Sequence, residues 1–253
     1  MKIIDLSVPM INTAKEPQPP KIEYESHEQG AQQAATLLGL ETTDFPDERA
    51  WATETVTLST HTGTHVDAPW HYAPTSEGKK ARTIDELPLE WFFGDGVLFD
   101  FSDKEAGYEV QIKDLEEKLT EMNYTLKPYD IVLVRSDADK HLYEKNYAMM
   151  HVGVSAEATH WLIDQGIKVM GTDGWGWDIP LPKQAAQYKK ARKDNILWAA
   201  HFVGKEKEYC QIEKLANLDQ LPRSTGFKVA CFPVNIKSAS GGWARPVAIF
   251  QDE

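Results

Sequence analysis

Cysteine is scarce in this chain: Cys210 and Cys231 are the only two among 253 residues. Two thiols are too few for a disulfide scaffold, and their spacing holds no C-x-x-C pair for redox or zinc chemistry. Basic residues are also in deficit. Lys plus Arg number 27 against 39 Asp plus Glu, giving a net charge of −12. No basic stripe interrupts that balance, which argues against nucleic acid and anionic membrane surfaces as partners. There is no apolar run of membrane-spanning length and no leader pattern. The opening Met1-Lys2-Ile3-Ile4-Asp5-Leu6-Ser7 reads as a first strand. A cytoplasmic location is the expectation. Internal repeats and linker-like stretches are missing too, so residues 1–253 read as one domain with ample length for a core.

What remains alternates between strand and helix patterns. After a Pro-rich excursion over residues 10–22, residues 27–40 are rich in Ala, Gln and Leu and read as a helix closed by Gly39. Thr53 to Thr60 alternates Val56 and Leu58 with polar neighbours, a strand leading into the next motif. Gly96 to Phe101 is a second strand. Lys113 to Met122 has helical spacing with Ile112, Leu115 and Leu119 on one face. Asp130 to Arg135 is a continuous apolar strand of the kind buried on both faces. Ser155 caps a helix that stops at Gly166, and Ile167 to Gly171 follows as a strand. Gly226 to Phe232 and Val247 to Phe250 supply late strands. The fold class is α/β.

Chemistry concentrates in His61-Thr62-Gly63-Thr64-His65-Val66-Asp67-Ala68-Pro69-Trp70-His71. Gly63 and Pro69 argue against a helix. Positions 61, 65, 67 and 71 share parity, so an extended chain would turn all four side chains to one side. His61, His65 and Asp67 make three ligands for a divalent ion and leave a coordination position open. That is the arrangement of a catalytic site, in which the ion lowers the pKa of bound water towards about 7. His71 lies past the Pro, as a fourth ligand or as a general acid/base beside the metal. The motif is not His-Glu-x-x-His, so helical metalloprotease geometry does not apply.

This stretch resembles the signature of the cyclase-like metal-dependent hydrolases, His-x-Gly-Thr-His-x-Asp-x-Pro-x-His, at every fixed position. That family includes bacterial kynurenine formamidases and isatin hydrolases. Ile4-Asp5-Leu6-Ser7 resembles its opening strand, Asp130-Ile131-Val132-Leu133 its central strand and Gly171-Thr172-Asp173 its Gly-Ile-Asp. The resemblance implies a mixed multi-stranded sheet flanked by helices, of swivelling β/β/α-like architecture. It implies that His61, His65 and Asp67 bind one metal, that Asp67 can bridge to a second, and that His71 transfers the proton. A later His and Glu twelve residues apart complete the second site in the formamidases. His201 and Glu213 have that separation, with Glu213 in a stretch resembling the family's Ile-Leu-Glu-Gly. By residue type alone, His201 in Ile196 to Phe202 could equally be a core histidine. The ion would be zinc or manganese, one or two per chain, since an N/O ligand set suits either. The substrate would be a small molecule, such as an aryl formamide or a cyclic amide, and the chain a homodimer or homotetramer.

Departures from the family fall on the expected pocket walls. Ala14 to Pro20 carries no aromatic residue where the formamidases have a Pro and Trp. Gly174-Trp175-Gly176-Trp177-Asp178 stands where many relatives have Thr-Pro-Ser-x-Asp. Trp70, Trp175 and Trp177 could line an aromatic pocket, or belong to the core as most Trp do. Arg135 and Arg245 could meet a substrate carboxylate, although surface ion pairs are the commoner use. Thr62 and Thr64 could steady the ligands by hydrogen bonds or simply pack. Ser240-Gly241-Gly242-Trp243 reads as a loop with no assigned chemistry. Three rivals use the same residues: a lactone hydrolase, a lyase or cyclase with the metal as Lewis acid, and a non-catalytic metal- or ligand-binding protein. Oxygen-18 incorporation from solvent separates hydrolysis from the lyase, and a spare imidazole at position 71 argues against simple binding.

Overall fold

The computed structural model describes residues 1–12, 15, 19–193 and 195–251. Its strands of three or more residues are, in chain order, β1 (Lys2–Asp5), β2 (Lys21–Glu25), β3 (Thr53–Thr57), β4 (His65–Asp67), β5 (Phe93–Asp100), β6 (Ile131–Arg135), β7 (Val169–Thr172), β8 (Cys210–Glu213), β9 (Phe227–Ala230), β10 (Gly241–Trp243) and β11 (Val247–Phe250). The α-helices are α1 (His27–Leu38), α2 (Pro69–Tyr72), α3 (Ile112–Met122), α4 (Ala156–Asp164), α5 (Leu181–Ala191) and α6 (Ala199–Glu206). They fall into two compact units, Met10–Ser59 and the remainder, Met1–Pro9 with Thr60–Glu253.

The smaller unit holds β2, β3 and α1. β2 and β3 pair antiparallel, with Lys21 opposite Thr57 and Glu25 opposite Thr53. α1 begins with a capping box, Ser26 accepting from the Gln29 N–H while the Gln29 side chain accepts from the Ser26 N–H. It ends at Gly39 in the left-handed conformation, as the sequence indicates. The expectation of a strand running from Thr53 into the histidine motif needs correction. The strand stops at Thr57 and pairs with β2, because alternation of Val56 and Leu58 sets a period but does not name a partner.

The larger unit is built on a nine-stranded mixed sheet in the order β1-β11-β9-β5-β6-β7-β8-β4-β10. The four central strands β5, β6, β7 and β8 run parallel, and the pairings on either side of them are antiparallel. β6 lies between two parallel neighbours and is buried from Ile131 to Val134. Its side chains alternate between two cores. Ile131 and Leu133 join Ile4, Val169, Ile212 and Val229 on one face. Val132 and Val134 join Phe99, Met170 and, from the helices, Leu115, Leu162 and Val203 on the other. Each such side chain contributes about 1.5–3 kcal/mol when fully buried, so the continuous apolar pattern of β6 specifies a central position. The mixed sheet with flanking helices is the α/β architecture expected from the sequence.

β4 is the strand that matters for function. It sits between β8 and β10, antiparallel to both, with His65 opposite Glu213 and Asp67 opposite Gln211. A side-chain period of two then places His65, Asp67 and Glu213 on one face of the sheet. α6 packs over this face against α2 and α4. No helix among the described residues is long and apolar enough to cross a membrane.

Candidate metal centre

β4 supplies two donors by strand alternation. Val66 points into one core, and His65 and Asp67 emerge on the other side of the sheet, both buried. The Nδ1 of His65 meets the Gly63 carbonyl at 2.8 Å, so Nδ1 carries the hydrogen and Nε2 presents a lone pair. That lone pair faces Asp67 Oδ1 at 3.2 Å and Glu213 Oε2 at 3.7 Å. His65 Nε2 and Asp67 Oδ2 are buried and have no hydrogen-bond partner among the described residues. A lone pair against two carboxylates in a desolvated site is stable only with positive charge between them.

The remaining donors come from less regular chain. His61 lies in the turn before β4, where Gly63 takes a φ of +64°. Its Nδ1 meets Asp67 Oδ1 at 2.7 Å and its Nε2 meets Ser240 Oγ at 2.9 Å. His71 sits on α2, a single turn with Pro69 in its first position, where a missing N–H costs nothing. The His71 ring lies 4.1 Å from that of His61, centroid to centroid. Ligand atoms of His61, Asp67 and His71 all fall within 4.8 Å of one another, as do those of His65, Asp67 and Glu213. His201 comes from α6. Its Nε2 is 3.5 Å from Glu213 Oε1 and 4.0 Å from Asp67 Oδ2, while its Nδ1 is 2.5 Å from Asp178 Oδ2.

Electrostatics tell the same story. Burial would push the Asp67 carboxyl up, but His71, His65 and His61 overrule it and hold it well below the usual range. Burial opposes charge on His65 and His201. Asp67 and Glu213 nevertheless raise the first, and Asp178 and Glu213 raise the second to about 10. His71 goes the other way: burial, with His61 and His201 nearby, lowers it despite the pull of Asp67. The donor set is nitrogen and oxygen, the ligand atoms converge, and two buried atoms lack partners. These residues fit a divalent ion.

A cavity of about 170 Å³ opens onto this cluster, lined by His61, His71, His201 and Glu213 together with Trp175, Trp198, Leu181 and Lys214. Trp198 stacks on His201 at 4.7 Å and meets His71 edge-on at 5.3 Å. A larger hollow bordered by Trp161, Leu197 and Phe202 contains none of the ligand candidates.

A family model described as "Putative cyclase" matches residues 4–179, well over half of the chain. The chain belongs to the putative cyclase family. Among its relatives, a kynurenine formamidase of Erythrobacter litoralis is 28% identical over 214 residues, covering 81% of this chain and 84% of the relative. A kynurenine formamidase of Bacillus cereus is 29% identical over 162 residues, covering 61% of this chain and 70% of the relative. Isatin hydrolase A from Ralstonia solanacearum shares the fold, with a TM-score of 0.77 at 21% identity, covering 99% of this chain and 92% of that one.

Within this putative cyclase, all six sequence-selected residues, His61, His65, Asp67, His71, His201 and Glu213, converge on one site. The parity argument picks out residues that lie near one another, although one extended segment is not what brings them together. Extended chain covers His65 to Asp67 alone; a turn delivers His61 and a helical turn delivers His71. Other expectations need correction. Trp177 is core, 1% exposed with its indole N–H donating to Thr159 Oγ1, and Trp70 is a half-exposed partner of Lys80. Of the three tryptophans only Trp175 borders the cavity. Arg135 pairs with Asp100 and Asp137, and Arg245 with Asp5, all away from the cavity lining. Thr64 donates to the Lys214 carbonyl and accepts from the Val8 N–H, bonds that tie the turn to neighbouring chain. Residues 240–243 are not an open loop: Gly241–Trp243 forms edge strand β10, and Ser240 holds His61. A Cβ on Gly241 would stand 2.8 Å from the His61 ring, which is why a glycine borders the site there. The aromatic-free stretch Ala14 to Pro20 lies largely outside the described residues.

Asp178, Trp198 and Lys214 border or brace the site and carry no motif of their own. Asp178 does sit at the Asp of the divergent Gly174 to Asp178 segment, the one sequence signal that could have pointed to it.

Proposed function

We propose that this chain is a metal-dependent hydrolase of small non-peptide amides, cleaving the C–N bond of an aryl formamide or a cyclic amide. The observation that carries this reading is Asp67, a buried carboxylate shared by two groups of donors, one with His61 and His71 and the other with His65 and Glu213. Kynurenine formamidase relatives over most of the chain and an isatin hydrolase of the same fold support the substrate class.

His61, His65 and Asp67 would hold one divalent ion, zinc or manganese, and Asp67 with His201 and Glu213 a second. A divalent ion held there would lower the pKa of a bound water and polarise the substrate carbonyl. The chain supplies orientation and proton transfer. Asp178 fixes the His201 ring through Nδ1, and the Gly63 carbonyl fixes His65 the same way, so both Nε2 atoms aim inward. Trp175 and Trp198 flank the cavity as walls for a flat ring. Water adds to the carbonyl carbon, the C–N bond breaks, and an imidazole nitrogen of His71 passes the proton from water to the leaving nitrogen. Burial keeps His71 in the neutral form that such a base requires.

The test is His71→Ala, followed by metal content and turnover of an aryl formamide. The expected result is undiminished metal with kcat lower by roughly 10²–10⁴-fold. Unchanged turnover contradicts the role of His71, and loss of metal makes it a ligand instead.

A further inference from the structure

Gln211 is a buried amide for which the proposed reaction has no use. It lies on β8 two residues before the candidate ligand Glu213 and is 0% exposed. Strand alternation puts the two side chains on one face, and the register sets Gln211 opposite Asp67. Residues facing each other across such a pair have Cβ atoms about 4.5–5.5 Å apart. The far end of the side chain is located too. Its Nε2 donates to Tyr209 Oη at 2.5 Å, and that hydroxyl donates to the Ala200 carbonyl at 2.8 Å. Ala200 precedes the candidate ligand His201 on α6. The amide is thus bracketed by Asp67 on one side and by the turn that carries His201 on the other.

These bonds also fix which way the amide faces. Tyr209 has a single hydroxyl hydrogen, and the Ala200 carbonyl takes it. Towards Gln211 the hydroxyl can only accept, so the NH2 end faces Tyr209 and Oε1 stands at the other end. That oxygen is buried and has no hydrogen-bond partner among the described residues, and neither does Asp67 Oδ2. Asp67 Oδ2 is the oxygen that faces His201 Nε2, at 4.0 Å. A buried acceptor without a donor costs about 1–3 kcal/mol. Two acceptors on facing residues cannot satisfy each other, whereas a cation satisfies both.

We propose that Gln211 belongs to the second ion site, where its amide oxygen is a neutral donor beside Asp67, His201 and Glu213 and biases the site towards manganese over zinc. With it the site offers three oxygens and one nitrogen. Carbonyl and carboxylate oxygens suit manganese, which takes up to six, whereas zinc settles for four ligands and accepts imidazole readily. His61, His65 and Asp67 offer two nitrogens and one oxygen and carry no such bias. The inference rests on the two-ion reading above, but it does not depend on turnover.

Calorimetric titration of chelator-stripped protein with manganese and, separately, with zinc tests this. Wild type should bind two equivalents of each ion. Gln211→Met keeps the length and removes the oxygen. It should weaken the second manganese equivalent by about tenfold, leave the second zinc equivalent largely in place, and leave the first equivalent of both ions unchanged. Gln211→Glu keeps the oxygen, adds charge, and should tighten the second manganese equivalent. An unchanged first equivalent shows that a variant is folded. If Gln211→Met fails to fold, Gln211→Glu decides alone, and manganese affinity equal to wild type then overturns the proposal. Equal loss of manganese and zinc in Gln211→Met overturns it as well, because the side chain would then only support the strand. So does a single equivalent in wild type. Hydrolysis of formanilide by the manganese-loaded wild type is scored separately. Its absence, with a Gln211-dependent manganese preference intact, removes the hydrolase reading and leaves the ion site standing.

Discussion

Asp178 shows how much one side chain can organise. Its carboxylate accepts from the Ala200 and His201 N–H groups at the start of α6 and from His201 Nδ1. It therefore caps a helix from outside and fixes a candidate ligand on that helix. Asp178→Asn keeps the size but removes the charge that orients the imidazole. Metal affinity should fall by roughly 10–100-fold, the usual effect of losing a group behind a ligand histidine, as read by competition with a chelator. Unaltered affinity would show that His201 does not hold metal. At this scale the eleven-residue motif makes His61, His65, Asp67 and His71 legible, because ligand-type residues at short spacing stay close in any local conformation. Lys214 and Trp198 were not legible. Their places on the cavity wall depend on positive backbone φ values, +58° and +57°, and on what lies across the cavity, neither of which leaves a mark in residue type.

Elements differ in how much of themselves they announce. β6 reads directly from its sequence because burial on both faces removes polar residues from it. β10 does not, because Gly241 and Gly242 give no strand signal while close contacts with the His61 ring and the Val234 carbonyl demand them. α6 is also hidden: it has eight residues, starts after the left-handed Trp198, and takes its cap from Asp178, twenty-two residues before Ala200. Its position is set by Gly204, where a Cβ would come within 2.2 Å of the Tyr72 ring. Gly204→Ala must push α6 away from α2 and take His201 with it. The expected result is destabilisation of about 1–3 kcal/mol by overpacking, with a lower Tm and weaker metal retention. A variant with wild-type Tm and metal content would show that this contact does not position the helix.

Over the whole molecule, the site gathers residues from position 61 to position 213, and the sheet is what closes that distance. β4 joins β8 by a register that sets His65 against Glu213, a pairing across about 150 positions that local periodicity cannot reveal. The family resemblance implies a place for Glu213 in the site through its twelve-residue separation from His201, but says nothing of this strand pairing. The central claim is that this gathered set holds a catalytic divalent ion. Elemental analysis of metal per chain, on protein purified without chelator or metal-affinity resin, tests it most directly. The account predicts at least one equivalent of zinc or manganese in wild type and none in Asp67→Ala. Wild-type protein that carries no metal even after incubation with zinc and manganese would contradict it.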